Sequence, residues 1–127
     1  MYADGPRLNA LSKLIIGRSF VVANALGTGF LEKVYENALA LELRDQGHGV
    51  EQQRAIDVRY RDTIVGHYAA DLFVEDAILI EVKATKSIDP AQLAQCRHYL
   101  KAMCLHLCLL INFGGPRVEV KRIVLDL

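Results

Sequence analysis

Apolar residues first recur at helical spacing. Leu8, Leu11, Leu14 and Ile15, followed by Val21 and Val22, predict a helix over about residues 8–25, modestly weakened by Gly17. Gly27-Thr28-Gly29 breaks the pattern, and a second helix is expected from about Phe30 to Gln46, closed by Gly47. Its apolar stripe reads Leu31, Val34, Tyr35, Ala38, Leu39 and Leu41. The period then shortens to two. Ile56, Val58 and Tyr60 alternate with Asp57, Arg59 and Arg61 as a half-buried strand, with a weak strand near Val50 joined to it or lying beside it. Arg61-Asp62 reads as a hairpin turn into a strand from about Ile64 to Val74, and Glu75-Asp76 turns the chain again. Asp89-Pro90 is a helix start, with Asp as N-cap and Pro at the first position, and that helix runs to about Met103. Leu105 to Phe113 and Val118 to Leu125 are expected as strands on either side of a Gly114-Gly115-Pro116 turn. The order is α-α-β-β-β-(β)-α-β-β. A meander followed by a helical crossover gives a mixed α+β architecture, one sheet flanked by helices. Without repeats or linkers, residues 1–127 read as one domain, its polar, turn-prone residues 1–7 expected to be flexible.

One strand does not fit its own pattern. From Ala77 to Ala84 apolar residues fill both alternation classes, so both faces should be covered, yet Glu81 and Lys83 interrupt the run. They point the same way, Val82 the other. A buried, unpaired charge costs several kcal/mol or more and therefore shifts its pKa or finds a partner. Asp71, on the preceding strand, supplies a second carboxylate. If the turn after Val74 has an odd number of residues, Val74 pairs with Ile78 and Asp71 lies opposite Glu81, with Cβ atoms roughly 5 Å apart. An even turn puts the two on opposite faces. The odd register is expected, although Glu75-Asp76-Ala77 is not an ideal three-residue turn. Carboxylates that close repel unless one is protonated or a cation lies between them. Hard oxygen donors favour Mg²⁺ or Mn²⁺. The same residues also allow an internal Glu–Lys or Asp–Lys ion pair, or a strand end emerging into water.

Bulk properties narrow the partners. The chain has 127 residues, 15 basic and 15 acidic, so zero formal net charge, which excludes nonspecific nucleic-acid binding by overall basicity. Three cysteines, an odd number, and no recognisable signal peptide point to a reduced, cytoplasmic setting. The longest apolar run, Met103 to Phe113, is too short to span a bilayer, so no membrane association is expected.

Other candidates carry less. Glu32 lies at the flank of the second helix's stripe and in its first turn, where the helix dipole favours a carboxylate. Glu42 lies nearer the centre of that stripe and needs a partner, such as an arginine or tyrosine. Gln92, Gln95 and Tyr99 form a polar stripe on the third helix, an ordinary exposed face or a place to hold a water or phosphate oxygen. Gly27-Thr28-Gly29 is half a dinucleotide fingerprint and follows a helix, not a strand. Cys96, Cys104, Cys108, His98 and His106 lack the spacing of a structural zinc site; Cys104 and Cys108 read as core. His48 and His67 stand alone. Arg97, Lys101, Arg117, Lys121 and Arg122 form either a binding rim or a solvated face.

Four segments in order give the chain a resemblance. Gly29-Phe30-Leu31-Glu32-Lys33-Val34-Tyr35 fits G-x-x-E-x-x-Y, and Asp71 followed by Glu81-Val82-Lys83 fits D…E-x-K. Gln95 with Tyr99, and Leu110-Ile111-Asn112-Phe113-Gly114, extend the match over nearly the whole chain. It resembles the GxxExxY family of the PD-(D/E)XK nuclease superfamily. The resemblance implies a restriction-endonuclease-like core in which Glu32, Asp71 and Glu81 surround one or two Mg²⁺ (or Mn²⁺) ions, the Val82 carbonyl adding a ligand. Lys83 would orient or activate the attacking water, with Gln95 catalytic and Tyr35 and Tyr99 auxiliary. The implied substrate is DNA or RNA, and the alternative is a noncatalytic protein- or metal-binding module keeping the fold. Small size and neutral charge suggest that a homodimer or protein partner supplies substrate affinity.

Overall fold

Helix ends and turns fix the frame. The computed structural model describes residues 5–126. They form α1 (Gly5–Leu26), α2 (Glu32–Asp45), β1 (Val50–Tyr60), β2 (Thr63–Val74), β3 (Ile78–Lys83), α3 (Pro90–Met103), β4 (Leu107–Asn112) and β5 (Glu119–Val124). The weak strand near Val50 is therefore part of β1. Of the residues expected to be flexible, Gly5, Pro6 and Arg7 are helical, and Met1 to Asp4 lie outside the described residues. A proline so early removes only an N–H that no helix turn could use.

α2 ends in a Schellman arrangement. Gly47, at φ 86°, donates to the Arg44 carbonyl while the His48 N–H donates to Leu43. Its buried face differs from the expected stripe: Tyr35, Glu36, Leu39, Ala40 and Leu43 are inside, whereas Leu31, Val34 and Leu41 are exposed. Glu42 is half-buried and pairs with Arg18 at 3.4 Å, the arginine partner it needed. α3 starts in a capping box, the Asp89 side chain accepting from the Ala91 N–H and the Gln92 side chain accepting from the Asp89 N–H. That takes Gln92 out of the polar stripe.

The strands form one sheet in the order β1-β2-β3-β4-β5. All neighbours are antiparallel except β3 and β4, which the α3 crossover makes parallel. α1 and α2 cover one face against Leu72, Ile78, Ile80, Val82, Leu109 and Ile111. α3 covers the other against Phe73, Leu79, Cys108 and Leu110. β3 and β4 are thus buried on both sides, as apolar residues in both alternation classes predict. Cys108 is core, but Cys104 is exposed at the α3 C-cap in the left-handed region, a correction to its reading as core.

The β2–β3 turn has three residues, and Val74 pairs with Ile78, Phe73 with Leu79 and Leu72 with Ile80. This is the odd register. Glu75 and Asp76 adopt left-handed backbone (φ 53° and 51°). The Glu75 carboxylate accepts from the Gly49 N–H at 3.0 Å and lies 3.0 Å from His48 Nδ1, contacts that hold its carboxyl below the usual range. Glu75, unusual in left-handed backbone, works here because its side-chain contact to the β1 entry braces it, while Asp76 is an ordinary left-handed turn residue. Among the described residues no helix is long and apolar enough to cross a membrane.

Candidate active site

The β2–β3 backbone pairing ends at Leu72–Ile80, and one step further the register sets Asp71 opposite Glu81. There side chains replace the backbone ladder. The Asp71 N–H donates to Glu81 Oε2 at 2.9 Å, and the Val82 N–H donates to Asp71 Oδ2 at 2.8 Å. The cause lies one strand over. Gln53 of β1, across from Asp71, has a left-handed backbone (φ 55°) inside a strand. Before it, Val50 packs with the α1–α2 layer and Gln52 bonds Glu36 of α2; after it, Ile56 belongs to the α3 layer. β2 inverts at the matching place, with Leu72 and Val74 toward α1–α2 and Ala70 toward α3. The β1–β2 hairpin therefore turns over at the Gln53–Asp71 pair and parts from β3, and the two carboxylates fill the opening.

Glu81 is only 4% exposed. Burial, reinforced by the adjacent Asp71 carboxylate, pushes its carboxyl up to about 9. No ion pair among the described residues involves Asp71 or Glu81, which removes the internal Glu–Lys and Asp–Lys readings. Among the described residues Glu81 Oε1 accepts no hydrogen bond, and Asp71 Oδ1 takes one from Gln53 Nε2 at 3.2 Å. A proton on Glu81 relieves the repulsion with Asp71 in the metal-free site, and once a cation displaces it the two hard carboxylates are a donor set suited to Mg²⁺ or Mn²⁺.

Lys83, two residues on, is half-buried on the same side and makes no hydrogen bond or ion pair among the described residues. Beneath it, the Cys96 thiol is lowered by a hydrogen bond from Cys108 and, after burial has opposed that, by the Lys83 charge; the same bond raises Cys108. The backbone around Lys83 is clamped from β4. The Phe113 N–H donates to the Lys83 carbonyl, and buried Asn112 accepts from the Thr85 and Gly114 N–H groups while donating to the Thr85 carbonyl. A side chain at Gly114 would overlap the Thr85 backbone.

Glu32 opens α2, and its carboxylate accepts from the Ala84 N–H at 3.2 Å. Tyr35 fixes the approach to it. The ring is fully buried and stacks on Phe113 at 4.7 Å, and its hydroxyl donates to the Gly27 carbonyl and accepts from the Phe30 N–H. The structure thus joins Asp71 and Glu81 but sets Glu32 one residue beyond Lys83. Among the described residues no group of three His, Cys, Asp or Glu side chains stands close enough to share a metal ion.

Two residues escaped the sequence reading. Glu36, 3% exposed, accepts from Lys33, Gln52 and Gln53, and Gln53 Nε2 bridges it to Asp71. The three- and four-residue spacing to Leu39, Ala40 and Leu43 was a usable signal for Glu36; nothing in the sequence marks Gln53. On α3, Gln95 is half-buried, and Tyr99 is buried with its hydroxyl pushed up to about 12 by burial and then by the negative charge of Glu81. His67 and His48 are not alone but lie against Asp57 and Glu75. Of the basic residues considered for a rim, Arg122 is held by Ser12 and Asn9.

A five-stranded mixed sheet, helices on both faces and an aspartate opposite a Glu-x-Lys strand define a restriction-endonuclease-like core. The chain belongs to the PD-(D/E)XK nuclease superfamily, whose family model matches residues 9–123. Among solved structures it is similar to SSO0001, with TM-score 0.56 and 17% identity over 75% of this chain, which spans only 50% of that one. It is also similar to LHK-Exo, an alkaline exonuclease from Laribacter hongkongensis, with TM-score 0.53 and 19% identity over 99% of this chain and 73% of that one. At these identities the likeness is one of fold. No curated protein sequence matches the chain.

Proposed function

We propose that the protein is a divalent-metal-dependent nuclease of the GxxExxY family, hydrolysing phosphodiester bonds of DNA or RNA. The observation that carries this reading is the Asp71–Glu81 pair, held opposite each other with Glu81 buried, no cationic partner for either acid among the described residues, and Lys83 beside them. Asp71, Glu81 and the Val82 carbonyl would hold Mg²⁺ or Mn²⁺, with Glu32 joining through a rotation away from the Ala84 N–H. When bound, such an ion polarises the phosphoryl oxygen and lowers the pKa of water. The chain's own groups do the rest. Lys83 donates hydrogen bonds to the incoming water or a phosphoryl oxygen and offsets charge that grows as the P–O ester bond breaks. Gln95 positions water or phosphate from α3, Tyr99 lies behind Glu81, and Tyr35 holds the loop that aims Glu32. A second copy or a protein partner would add the basic surface that a chain of zero net charge lacks.

Purified protein incubated with single- and double-stranded DNA and RNA should cleave at least one of them in Mg²⁺ or Mn²⁺ and none in EDTA. Lys83→Ala and Glu81→Ala should each lose on the order of 10²-fold or more in rate. Midpoint temperatures should rise with added Mn²⁺ in the wild type and not in Glu81→Ala. The noncatalytic alternative draws on the missing third acid. It predicts a Mn²⁺-dependent midpoint with no cleavage of any substrate.

A further inference from the structure

A groove of about 730 Å³ runs between α3 and the outer half of the β1–β2 hairpin, the half beyond Gln53 and Asp71. We propose that this groove is a subsite for one unpaired nucleotide of a single-stranded nucleic acid, its base lying against Tyr68 and its phosphate drawn by Arg59 and Lys101. The proposal rests on the nuclease reading above and names the part of the substrate that lies beside the cleaved bond.

Size and shape come first. The volume falls in the range of sites that hold a compact organic ligand. α3 lines the groove with Ala91, Ala94 and Ala102, so the helix can be approached closely. Opposite it stands Tyr68, 50% exposed, its ring tilted 49° to Tyr99 at 5.8 Å. Half of a large aromatic ring is thus left in water beside a buried one. A base can stack on such a ring only if its own face is free, which is true of a single strand and not of bases inside a duplex.

Polar groups and charge agree with that occupant. Gln95 and Tyr99 both line the groove and neither side chain makes a hydrogen bond among the described residues, so together they offer donors and acceptors to a base edge. Arg59 and Lys101 form no ion pair among the described residues; Arg59 makes one long contact, 3.5 Å, to the Asp62 carbonyl. His98 adds a third nitrogen group. The one acid in the lining, Asp57, already lies 2.9 Å from His67 Nδ1. In a molecule of zero net charge, this lining is locally positive.

The groove is also continuous with the carboxylates. Tyr68 precedes Asp71 by three residues on β2, roughly 10 Å along a strand. One strand of nucleic acid can therefore touch the aromatic wall while presenting a phosphate to Asp71 and Glu81.

The test is fluorescence anisotropy with labelled 12-nucleotide single strands of DNA and RNA, and the matching duplexes, in EDTA so that nothing is cut. Tyr68→Ala should weaken single-strand binding by about 10-fold, the loss of one stacked base. Tyr68→Phe should retain it, Lys101→Ala should weaken it and steepen nothing with duplex, and duplex affinity should not change in Tyr68→Ala. Melting curves confirm that these exposed positions leave the fold intact. The subsite is overturned if Tyr68→Ala binds single strands as the wild type does, if it loses single strands and duplexes equally, or if the wild type binds neither. Cleavage is scored separately in Mg²⁺ and Mn²⁺. Wild-type cleavage with Tyr68-independent binding removes the subsite and leaves the nuclease, whereas Tyr68-dependent binding without cleavage removes the nuclease and leaves a single-strand binding groove.

Discussion

Glu81 has an ordinary carboxyl range near 4.5 when unfolded and about 9 when folded. Between those values the folded protein keeps a proton that the unfolded chain gives up. The stabilisation this brings is complete below the lower value and is lost as pH rises through the upper one. Without a divalent cation, the thermal midpoint should therefore fall across that interval, and Glu81→Gln should flatten the fall. A wild-type midpoint that climbs with pH over the same interval would contradict the assignment. Because a cation and a proton compete for the same oxygens, the midpoint gain from Mn²⁺ should grow with pH. Gln53 makes a separate prediction. Its positive φ costs on the order of 1–3 kcal/mol unless something holds it, and its amide ties Glu36 to Asp71. Gln53→Ala keeps the strain and loses the tie, so it should destabilise by about 1–2 kcal/mol. Gln53→Gly relieves the strain and should melt higher than Gln53→Ala, while cleavage falls in both because Asp71 is no longer steadied. Equal melting of the two variants would mean that the left-handed geometry stores nothing.

Among the elements, the end of β4 and the turn after it steady the site without contributing a charge. Asn112 and Gly114 hold the chain just after Lys83, so Gly114→Ala should cost on the order of 2–3 kcal/mol by pushing on the Thr85 backbone. Urea denaturation measures that cost, and an unchanged midpoint would show that the segment can shift freely. How much of this was legible varies by element. Asp89-Pro90 announced α3 because cap and proline chemistry is local. The two-faced apolar pattern of β3 announced burial, whereas the odd turn was expected only because it sets Asp71 opposite Glu81, the residues Glu75-Asp76-Ala77 giving no turn-length signal of their own. The rotation of α2 was not readable. Leu31, Val34 and Leu41 compete with Leu39 and Leu43 for the inward face, and the choice is settled by distant partners. Glu36 can be buried only because Lys33, Gln52 and Gln53 satisfy it. The left-handed Gln53 was equally hidden, since neither glycine, asparagine nor aspartate stands there to suggest it.

Across the whole molecule, chemistry and affinity are divided unevenly. The D…E-x-K residues lie at the well-packed junction of β2 and β3, while the balance of 15 basic and 15 acidic residues leaves little general pull on a polyanion. The chain spans half the length of SSO0001, so a fold of this kind also occurs within a longer chain. The parting of the hairpin from β3 at Asp71 has its own effect. Beyond that point β1 and β2 touch the rest of the protein mainly through α3, like a cantilever anchored beside the acids. Lengthening or trimming its tip by paired residues beyond Val58 would alter reach and grip on a long polymer while leaving the anchored end, and therefore the rate of bond breaking, as it was.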